Sequence, residues 1–290
     1  KDTTGDGRAD FRKQFSFGFD WPNGIAIHPE SGDVYVSQKG KISILRDLDG
    51  DFVADEVVNF IDGLPFGLHW SNHLVFGADG WLYMGLGSTC DACDEVDERS
   101  GTIMRFNTET GESEIYATGL RNPFDVAFHP ETGAMFATDN GRDDLGDRIP
   151  EEELNHIVKG FDYGWPDCWG QGQGENCEGT HQAIGYFQAH SSTNSLQFYT
   201  ADQFPAEYQN KLFATVFGSW FVPDLIQQGI REITITPDGG SYSAESKWFM
   251  QWDGWMVGMA LGADGALYFG DYNIDDPEAG AIYRISYGLP

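Results

Sequence analysis

Basic residues are scarce in this sequence. Its 290 residues contain 17 Lys and Arg against 46 Asp and Glu, which gives a formal net charge of −29 at pH 7. The field of such a chain repels nucleic acids and anionic lipids, so binding to DNA, RNA or a membrane surface is a poor hypothesis. Bound cations, a salty habitat and plain solubility remain as explanations of the acidity.

Long apolar runs are missing as well. No segment approaches the roughly 18 consecutive apolar residues of a membrane-spanning helix, so we expect no membrane span. Hydrophobic residues nevertheless make up 40% of the chain and aromatic residues 14%, too much for a disordered chain. The 37 glycines are close to twice the usual share of about 7%, which suits many tight turns between short strands.

Cysteine is limited to four residues, which form two local pairs. Cys90 and Cys93 have a CxxC spacing that also suits a redox site or half of a zinc site. Cys168 and Cys177 lack that spacing, which weakens the zinc alternative. We therefore predict two short-range disulfides, Cys90–Cys93 and Cys168–Cys177, and an extracytoplasmic location, secreted or periplasmic.

One sequence pattern recurs along the chain: an alternating apolar run, a turn with Gly and an acidic residue or Pro, and a second apolar run. Each copy predicts two antiparallel strands joined by a tight turn, and a third strand follows. A period near 50 residues without helical periodicity is typical of a β-propeller. The copies lie at residues 24–37, 74–85, 126–138, 259–270 and, more loosely, 196–218.

The sequence therefore predicts an all-β chain, with residues 1–290 forming a single propeller domain of the six-bladed type. Five complete blades can be identified. Residues 1–10 resemble residues 46–55, which directly follow a third strand. From this likeness we expect the first blade to be truncated or completed from elsewhere, and the domain to be part of a longer chain. A β-sandwich is the alternative, but it would not repeat one hairpin pattern five times.

An acidic loop at residues 47–55 has the spacing of a calcium site. Alternate residues of a tight loop can point their carboxylates inward, and Ca²⁺ prefers six to eight oxygen ligands. A weaker copy occupies residues 2–10. A solvated acidic turn is the alternative for both loops. The candidate ligands are Asp47, Asp49, Asp51 and Asp55.

Several further blocks occur in a fixed order. They are His69-Trp-Ser-Asn-His, Gly119-Leu-Arg-Asn-Pro, Asp139-Asn-Gly-Arg, Glu153-Leu-Asn and Asp162-Tyr-Gly-Trp-Pro. Together and in this order they resemble the glucose/sorbosone dehydrogenase family, the soluble sugar dehydrogenases that use pyrroloquinoline quinone (PQQ). The resemblance runs from about residue 24 to the end of the chain and is densest between residues 69 and 166.

The resemblance implies a six-bladed propeller that holds PQQ and Ca²⁺ at the mouth of its axial channel. It implies a sugar substrate oxidised at C1 to the lactone by hydride transfer, and a separate electron acceptor such as a c-type cytochrome. His69 is the expected general base, and Arg121 is the second expected catalytic residue. The expected cofactor-binding residues are Arg121, Asn122, Asn140, Gly141 and Arg142. The expected ligands of the Ca²⁺ beside the quinone are the Gly141 and Arg142 carbonyls, and those of a second, structural Ca²⁺ are the Glu153 side chain and the Tyr163 carbonyl.

Less specific explanations exist for the same residues. His69 also suits a polar position in a strand-entry loop, and Arg121 also suits a structural brace through Asp125. The last blade has no Lys or Arg in residues 252–258, where the family carries basic residues that pair with PQQ. Two alternatives therefore stay open: a calcium-stabilised binding module that has lost the cofactor, and a calcium-dependent hydrolase such as a sugar lactonase.

Overall fold

The computed structural model describes residues 1–222, 224, 226–273, 276 and 279–288, and its regular structure is almost entirely β-strand. A short 3-10 turn spans Ala206–Tyr208. Within the described residues, no helix has the length and apolar character that a membrane crossing requires.

The first two blades are four-stranded antiparallel sheets in which consecutive strands are neighbours. Blade 1 consists of β1 (Gly24–Ile27), β2 (Val34–Gln38), β3 (Lys41–Arg46) and β4 (Glu56–Asp62). Blade 2 consists of β5 (Ser71–Phe76), β6 (Trp81–Leu86), β7 (Thr102–Asn107) and β8 (Ser113–Ala117).

Blade 3 carries an insertion between its third and fourth strands. The sheet consists of β9 (Pro123–Phe128), β10 (Met135–Asp139), β11 (Glu152–Ile157) and β14 (Gly185–Phe187). The insertion contains a small hairpin, β12 (Cys168–Trp169) with β13 (Gln173–Gly174). The predicted disulfide Cys168–Cys177 closes this insertion, and Cys90–Cys93 closes a loop of blade 2, so both predicted pairings are confirmed.

The last two blades complete the described part of the fold. Blade 4 consists of β15 (Thr193–Phe198), β16 (Leu212–Val216), β17 (Gly229–Asp238) and β18 (Ser241–Gln251). Blade 5 is a three-stranded sheet of β19 (Trp255–Leu261), β20 (Leu267–Tyr272) and β21 (Ala281–Ile285).

The five predicted blades are confirmed, and each predicted copy of the repeat overlaps the first two strands of one observed blade. The first strands pack against each other in the order β1, β5, β9, β15 and β19 and form the inner row of the propeller. The repeated tight turn has a local cause. In residues 77–80, Gly80 has φ of 80° and its N–H donates to the Gly77 carbonyl oxygen, a conformation that glycine adopts at little cost.

The hydrophobic core lies between blades rather than within them. Four apolar clusters join blades 1 and 2, 2 and 3, 3 and 4, and 4 and 5. Phe106, Phe136 and Phe213 are fully buried in three of these clusters, and burial of such a side chain stabilises the fold by about 1.5–3 kcal/mol. In the described residues no such cluster joins blade 5 to blade 1, and that a sixth blade completes the ring stays a prediction.

Candidate active site

A polar pocket opens where the loops before the inner strands of blades 2, 3 and 4 converge. Its volume is about 310 Å³, at the lower end of the range for small-molecule sites. The repeated fold places the entry loops of successive blades side by side, so residues far apart in sequence meet here. The lining includes His69, Arg121, Asn122, Asn140 and Gly141, five of the residues predicted from the sequence.

His69 presents a neutral imidazole to this pocket. Burial, together with the positive charge of Arg121, lowers the pKa of His69 to about 3. Its Nδ1 lies 3.0 Å from the Ser88 hydroxyl oxygen, and that hydroxyl donates its proton to the Cys90 carbonyl oxygen at 2.7 Å. Because the Ser88 hydroxyl has one proton, it accepts from His69, so Nδ1 carries the ring hydrogen. The Nε2 atom of His69 is therefore the basic nitrogen.

Arg121 is held rigidly at the edge of the pocket. Its side chain is 4% exposed and its Nη2 contacts Asp91 Oδ1 at 2.6 Å and Asp143 Oδ2 at 2.7 Å. Its Nη1 donates to the Asn140 carbonyl oxygen at 3.0 Å. The guanidinium is thus a fixed, charge-paired donor with its plane set by three residues.

The alternative partner of Arg121 considered from the sequence, Asp125, has a different function. Asp125 contacts His73 Nδ1 at 2.7 Å and accepts hydrogen bonds from the Ser195 hydroxyl and the Leu196 N–H. Burial opposes the charged form of His73, but the charge and hydrogen bond of Asp125 raise its pKa. This network ties blades 2, 3 and 4 together around the axis.

Two polar atoms in the pocket wall lack partners. The Asn140 Oδ1 and Trp70 Nε1 atoms are buried and form no hydrogen bond within the described part of the chain. Asn122, by contrast, accepts from Asn72 Nδ2 at 2.9 Å and is already paired. Buried polar groups in proteins are nearly always hydrogen-bonded, so these two atoms are a candidate acceptor and a candidate donor for a polar ligand.

The four metal ligands that the resemblance implies lie around one small cavity beside the pocket. Gly141, Arg142, Glu153 and Tyr163 all line this space of about 20 Å³, close to the size of one water molecule or ion. The sequence assigned the first two and the last two to separate ions, whereas the structure brings them to a common wall. Arg142 turns its guanidinium to Asp144 at 2.6 Å and not into the larger pocket.

Carboxylates dominate the electrostatics of this small cavity. Asp139 also lines it, and burial raises the pKa of Asp139 to about 6. Burial and the charge of Asp139 raise the pKa of Glu153 to about 8. The Asn155 Oδ1 atom, next to Glu153 on β11, is buried without a partner in the described residues. Such oxygen-rich surroundings are chemically suited to a hard cation.

The acidic loop 47–55 is only partly assembled as predicted. Carboxylate oxygens of Asp47, Asp49 and Asp55 lie within 4.8 Å of one another. Asp51 instead contacts Lys13 Nζ at 3.1 Å. The Asp47 carboxylate accepts backbone N–H groups of its own loop, which also explains the loop without an ion.

Several residues of the site were not identified from the sequence. Asp91, which pairs with Arg121, lies between the two cysteines of the CxxC loop. Glu152 lines the pocket and accepts the N–H groups of Gly141 and Ser192, and burial raises its pKa to about 7. Trp220 also lines the pocket. Glu152 stands directly before the recognised Glu153 block, so the double acid was a usable signal, but nothing local indicated Asp91 or Trp220.

Comparison with known proteins gives likenesses in sequence and in fold. The chain is 27% identical over 251 residues to aldose sugar dehydrogenase YliI of Escherichia coli (strain K12), a match that covers 77% of this chain and 61% of that protein. The chain thus spans less than two thirds of this relative's length. In fold, it is similar to the calcium structure of Trichoderma reesei Carbohydrate-Active Enzymes Family AA12, with a TM-score of 0.71 and 18% identity, covering 89% of this chain and 79% of that chain.

A second solved structure is similar to the same extent. It is the holo form of the pyranose dehydrogenase PQQ domain from Coprinopsis cinerea, with a TM-score of 0.71 and 13% identity over 91% of this chain and 81% of that chain. These findings confirm the resemblance to soluble sugar dehydrogenases and define a β-propeller of that structural class. The chain belongs to the family described as Domain of unknown function (DUF7133), whose model matches residues 1–275.

Proposed function

We propose that this protein oxidises an aldose at C1 to the lactone with PQQ and Ca²⁺ as cofactors. The observation that carries the proposal is a partly buried neutral imidazole with a fixed tautomer, His69, which lines the same pocket as a fixed guanidinium, Arg121. The names of the relatives, which are sugar dehydrogenases, supply the substrate class.

The proposed reaction assigns a function to each of these groups. PQQ, when bound, supplies the acceptor for the hydride that leaves C1 of the sugar. His69 Nε2 accepts the proton of the C1 hydroxyl, which a neutral imidazole does well near neutral pH. The Arg121 guanidinium stabilises negative charge that develops nearby, and it needs no reorganisation because Asp91 and Asp143 hold it.

The residues present fit the proposed cofactor pair. The unpaired Trp70 Nε1 donor suits a ligand rich in oxygen atoms, and the unpaired Asn140 Oδ1 suits a cation or a sugar hydroxyl. Two carboxylates, Asp91 and Asp143, contact the guanidinium of Arg121, and the Glu152 carboxyl group lines the same pocket. A divalent cation offsets this negative charge, so we expect anionic PQQ to bind together with Ca²⁺ and poorly without it.

We place the ion-binding groups in the small cavity, with the Gly141 and Arg142 carbonyls, the Glu153 carboxylate and the Tyr163 carbonyl as ligands. Supporting this, the cavity also exposes the buried carboxylate of Asp139 and is close to the unpaired oxygen of Asn155. The loop at Asp47, Asp49 and Asp55 is a second proposed calcium site, of a structural kind, with Asp51 outside it.

Calcium is expected to stabilise the fold. At a concentration 100 times its dissociation constant, Ca²⁺ raises the free energy of unfolding by about 2.7 kcal/mol, a rise in Tm of several degrees. Glu153→Gln removes a charged ligand and loses the part of that rise that comes from the small cavity, whereas Glu109→Gln on an exposed turn keeps the whole rise. The measurement is thermal unfolding with Ca²⁺ and with chelator. An equal response of both variants would rule out Glu153 as a ligand.

The proposal also includes a cellular location and an electron acceptor. The two disulfides support an extracytoplasmic location, secreted or periplasmic, because such bonds persist in oxidising compartments. Electrons pass from the reduced cofactor to a separate acceptor, for which a c-type cytochrome is the proposed partner.

The test is reconstitution of the full-length protein with PQQ and Ca²⁺, followed by dye reduction with a panel of aldoses. We expect turnover that requires sugar, PQQ and Ca²⁺ together, with the lactone or its hydrolysis product identified. A folded, calcium-loaded protein that binds no PQQ at micromolar concentration would contradict the proposal and favour the calcium-stabilised binding module.

Ser88→Ala is expected to lower kcat roughly tenfold with little change in KM, because the group that fixes the His69 tautomer is lost. Ser88→Thr keeps a hydroxyl at the same place and is expected to retain most of the activity. Steady-state kinetics of the two variants make the comparison. Equal rates in wild type and Ser88→Ala would show that the tautomer is set by something else.

A further inference from the structure

The loop between β6 and β7 contacts both groups that are proposed for catalysis. His69 Nδ1 lies 3.0 Å from the Ser88 hydroxyl oxygen, and that hydroxyl donates to the Cys90 carbonyl oxygen at 2.7 Å. Asp91 Oδ1 accepts from Arg121 Nη2 at 2.6 Å, and the Asp91 carbonyl oxygen accepts from Arg121 Nε at 3.1 Å. The tautomer of His69 and the guanidinium of Arg121 are therefore both fixed through two adjacent residues of this loop, Cys90 and Asp91.

Backbone pairing does not hold this part of the loop. Within the described residues, no backbone group of residues 90–96 forms a hydrogen bond with another backbone group. Two side-chain closures restrain it instead. The inner closure is the Cys90–Cys93 disulfide, and the outer one is the Glu95 carboxylate, which accepts from the N–H and the hydroxyl of Thr89 at 2.6 Å each. The disulfide is therefore the nearest restraint on the two residues that it encloses.

Asp91 is one of these two residues, and it joins several groups at the edge of the pocket. Besides contacting Arg121, its Oδ1 accepts the N–H of Asp143 at 2.9 Å, and its carbonyl oxygen accepts from Trp165 Nε1 at 3.4 Å. Asp143 itself contacts Arg121 Nη2 at 2.7 Å. A displacement of Asp91 therefore loosens both charged contacts of Arg121.

The disulfide next to Asp91 is open to reaction with molecules in solvent. Cys90 and Cys93 are both only partly buried, and redox-active pairs use the same CxxC spacing. A dithiol reduces such a bond in a balanced exchange. The S–S bond breaks, two electrons and two protons pass to the cysteines, and the dithiol closes to its own disulfide. Two thiols then replace the ring, and Asp91 loses its nearest restraint.

We propose that the Cys90–Cys93 disulfide positions His69 and Arg121, and that its reduction by a dithiol reversibly lowers the activity of the site. This rests on the proposed function, because it concerns the groups that carry that reaction. In the reduced form the Cys90 carbonyl oxygen and the Asp91 carboxylate are released. The tautomer of His69 and the orientation of Arg121 are then no longer fixed.

The first test needs no cofactor and follows the ionisation of His69 in the full-length protein by NMR. With the disulfide intact, burial and the charge of Arg121 lower the pKa of His69 to about 3, so no titration is expected between pH 5 and 8. Reduction with dithiothreitol, or the double substitution Cys90→Ser/Cys93→Ser, is expected to raise this pKa towards the usual value of about 6.5 and into that range. His69→Ala identifies the signal, and circular dichroism establishes that the strands are retained.

The matched control is Cys168→Ser/Cys177→Ser, which removes the other disulfide. Both sulfur atoms of that bond lie 3.5 Å from the Glu175 carbonyl oxygen, in the insertion of blade 3. We expect His69 of this variant to show no titration between pH 5 and 8 until dithiothreitol is added. A titration that appears before reduction would overturn the assignment to Cys90–Cys93.

The second test measures dye reduction once the dithiothreitol has been removed and PQQ, Ca²⁺ and an aldose have been added. In the reduced protein and in Cys90→Ser/Cys93→Ser, kcat is expected to fall about 10- to 100-fold with little change in KM, the usual loss when a group that orients a functional side chain is removed. Reoxidation is expected to restore the wild type, and dithiothreitol to have no further effect on Cys90→Ser/Cys93→Ser.

Two results would overturn the proposal. One is a pKa of His69 that is the same with and without the disulfide, and the other is a kcat that does not change on reduction. If no form of the protein oxidises any aldose, the proposed function fails, and the titration of His69 by itself decides whether the disulfide positions the pocket.

Discussion

Replacing His69 by alanine is expected to lower kcat for aldose oxidation by about 10²–10⁴-fold, the usual contribution of a positioned general base. The proposed proton acceptor is His69 Nε2, since Nδ1 is committed to the Ser88 hydroxyl oxygen. Steady-state dye reduction by the reconstituted variant measures the loss. His28→Ala, in an exposed turn of blade 1, is the matched control and is expected to keep the wild-type rate.

The pH dependence of the wild-type rate tests whether His69 acts as a neutral base. Burial and the charge of Arg121 lower the pKa of His69 to about 3, so the imidazole stays neutral and competent as the pH falls from 7 to 5. A histidine at its usual pKa of about 6.5 would lose the base over that range. We therefore expect the wild-type rate to show no fall near pH 6.5 that is due to protonation of His69. A fall of the rate near pH 6.5 that is due to His69 would contradict the lowered pKa of this residue.

The lowered pKa of His69 also makes the free energy of unfolding depend on pH. The unfolded chain binds a proton at His69 below pH about 6.5, whereas the folded chain does so only near pH 3. Stability from this group is fully present above pH 6.5 and is lost progressively as the pH falls towards 3. His69→Ala should therefore be less sensitive to acid than the wild type, in denaturant unfolding at pH 7 and pH 5.

Arg121→Ala is expected to lower the free energy of unfolding by about 3 kcal/mol, the lower end of the range for breaking a buried ion pair. The arginine side chain is 4% exposed, and its loss leaves Asp91 and Asp143 facing each other without a cation. The lower end applies because these two carboxylates are 31% and 28% exposed and water relieves part of the penalty. Urea unfolding of the full-length protein measures the loss.

Arg142→Ala provides the control for this second prediction. Arg142 pairs with Asp144, whose side chain is 49% exposed, and exposed pairs contribute about 0–1 kcal/mol. A loss in Arg121→Ala no larger than that in Arg142→Ala would show that the Asp91–Arg121–Asp143 cluster does not brace the pocket. The Arg121 variant is also expected to raise the pKa of His69, because the second cause of its depression is removed.

The fold could be predicted because its information is local. Each blade repeats the same hairpin pattern in its sequence. A turn such as residues 77–80 needs a glycine at positive φ wherever it occurs. Alternation of apolar residues then fixes which strands pack between blades. The strand positions within a hairpin follow from features that lie within about 15 residues of one another, and the recurrence of the hairpin about every 50 residues gives the number of blades.

The site was only partly predictable because its decisive contacts are long-range. Asp91 contacts Arg121, which lies 30 residues away in sequence, and Trp220, which also lines the pocket, belongs to a loop of blade 4. Which way a loop side chain points depends on how neighbouring blades pack, and no local pattern encodes that. The order of the motifs pointed to His69, Arg121 and Asn140, which line the pocket, whereas Asp125, considered as an alternative partner of Arg121, contacts His73.

A single-turnover experiment measures sugar oxidation by the bound cofactor directly. The full-length protein is loaded with Ca²⁺ and one equivalent of PQQ, mixed with an aldose in the absence of dye, and followed by the absorbance of the bound cofactor. We expect the sugar to reduce the cofactor fully in wild type and Glu109→Gln, and about 10²–10⁴-fold more slowly in His69→Ala. Cofactor that binds but is not reduced by any aldose, or is reduced equally fast in His69→Ala, would contradict the proposed function.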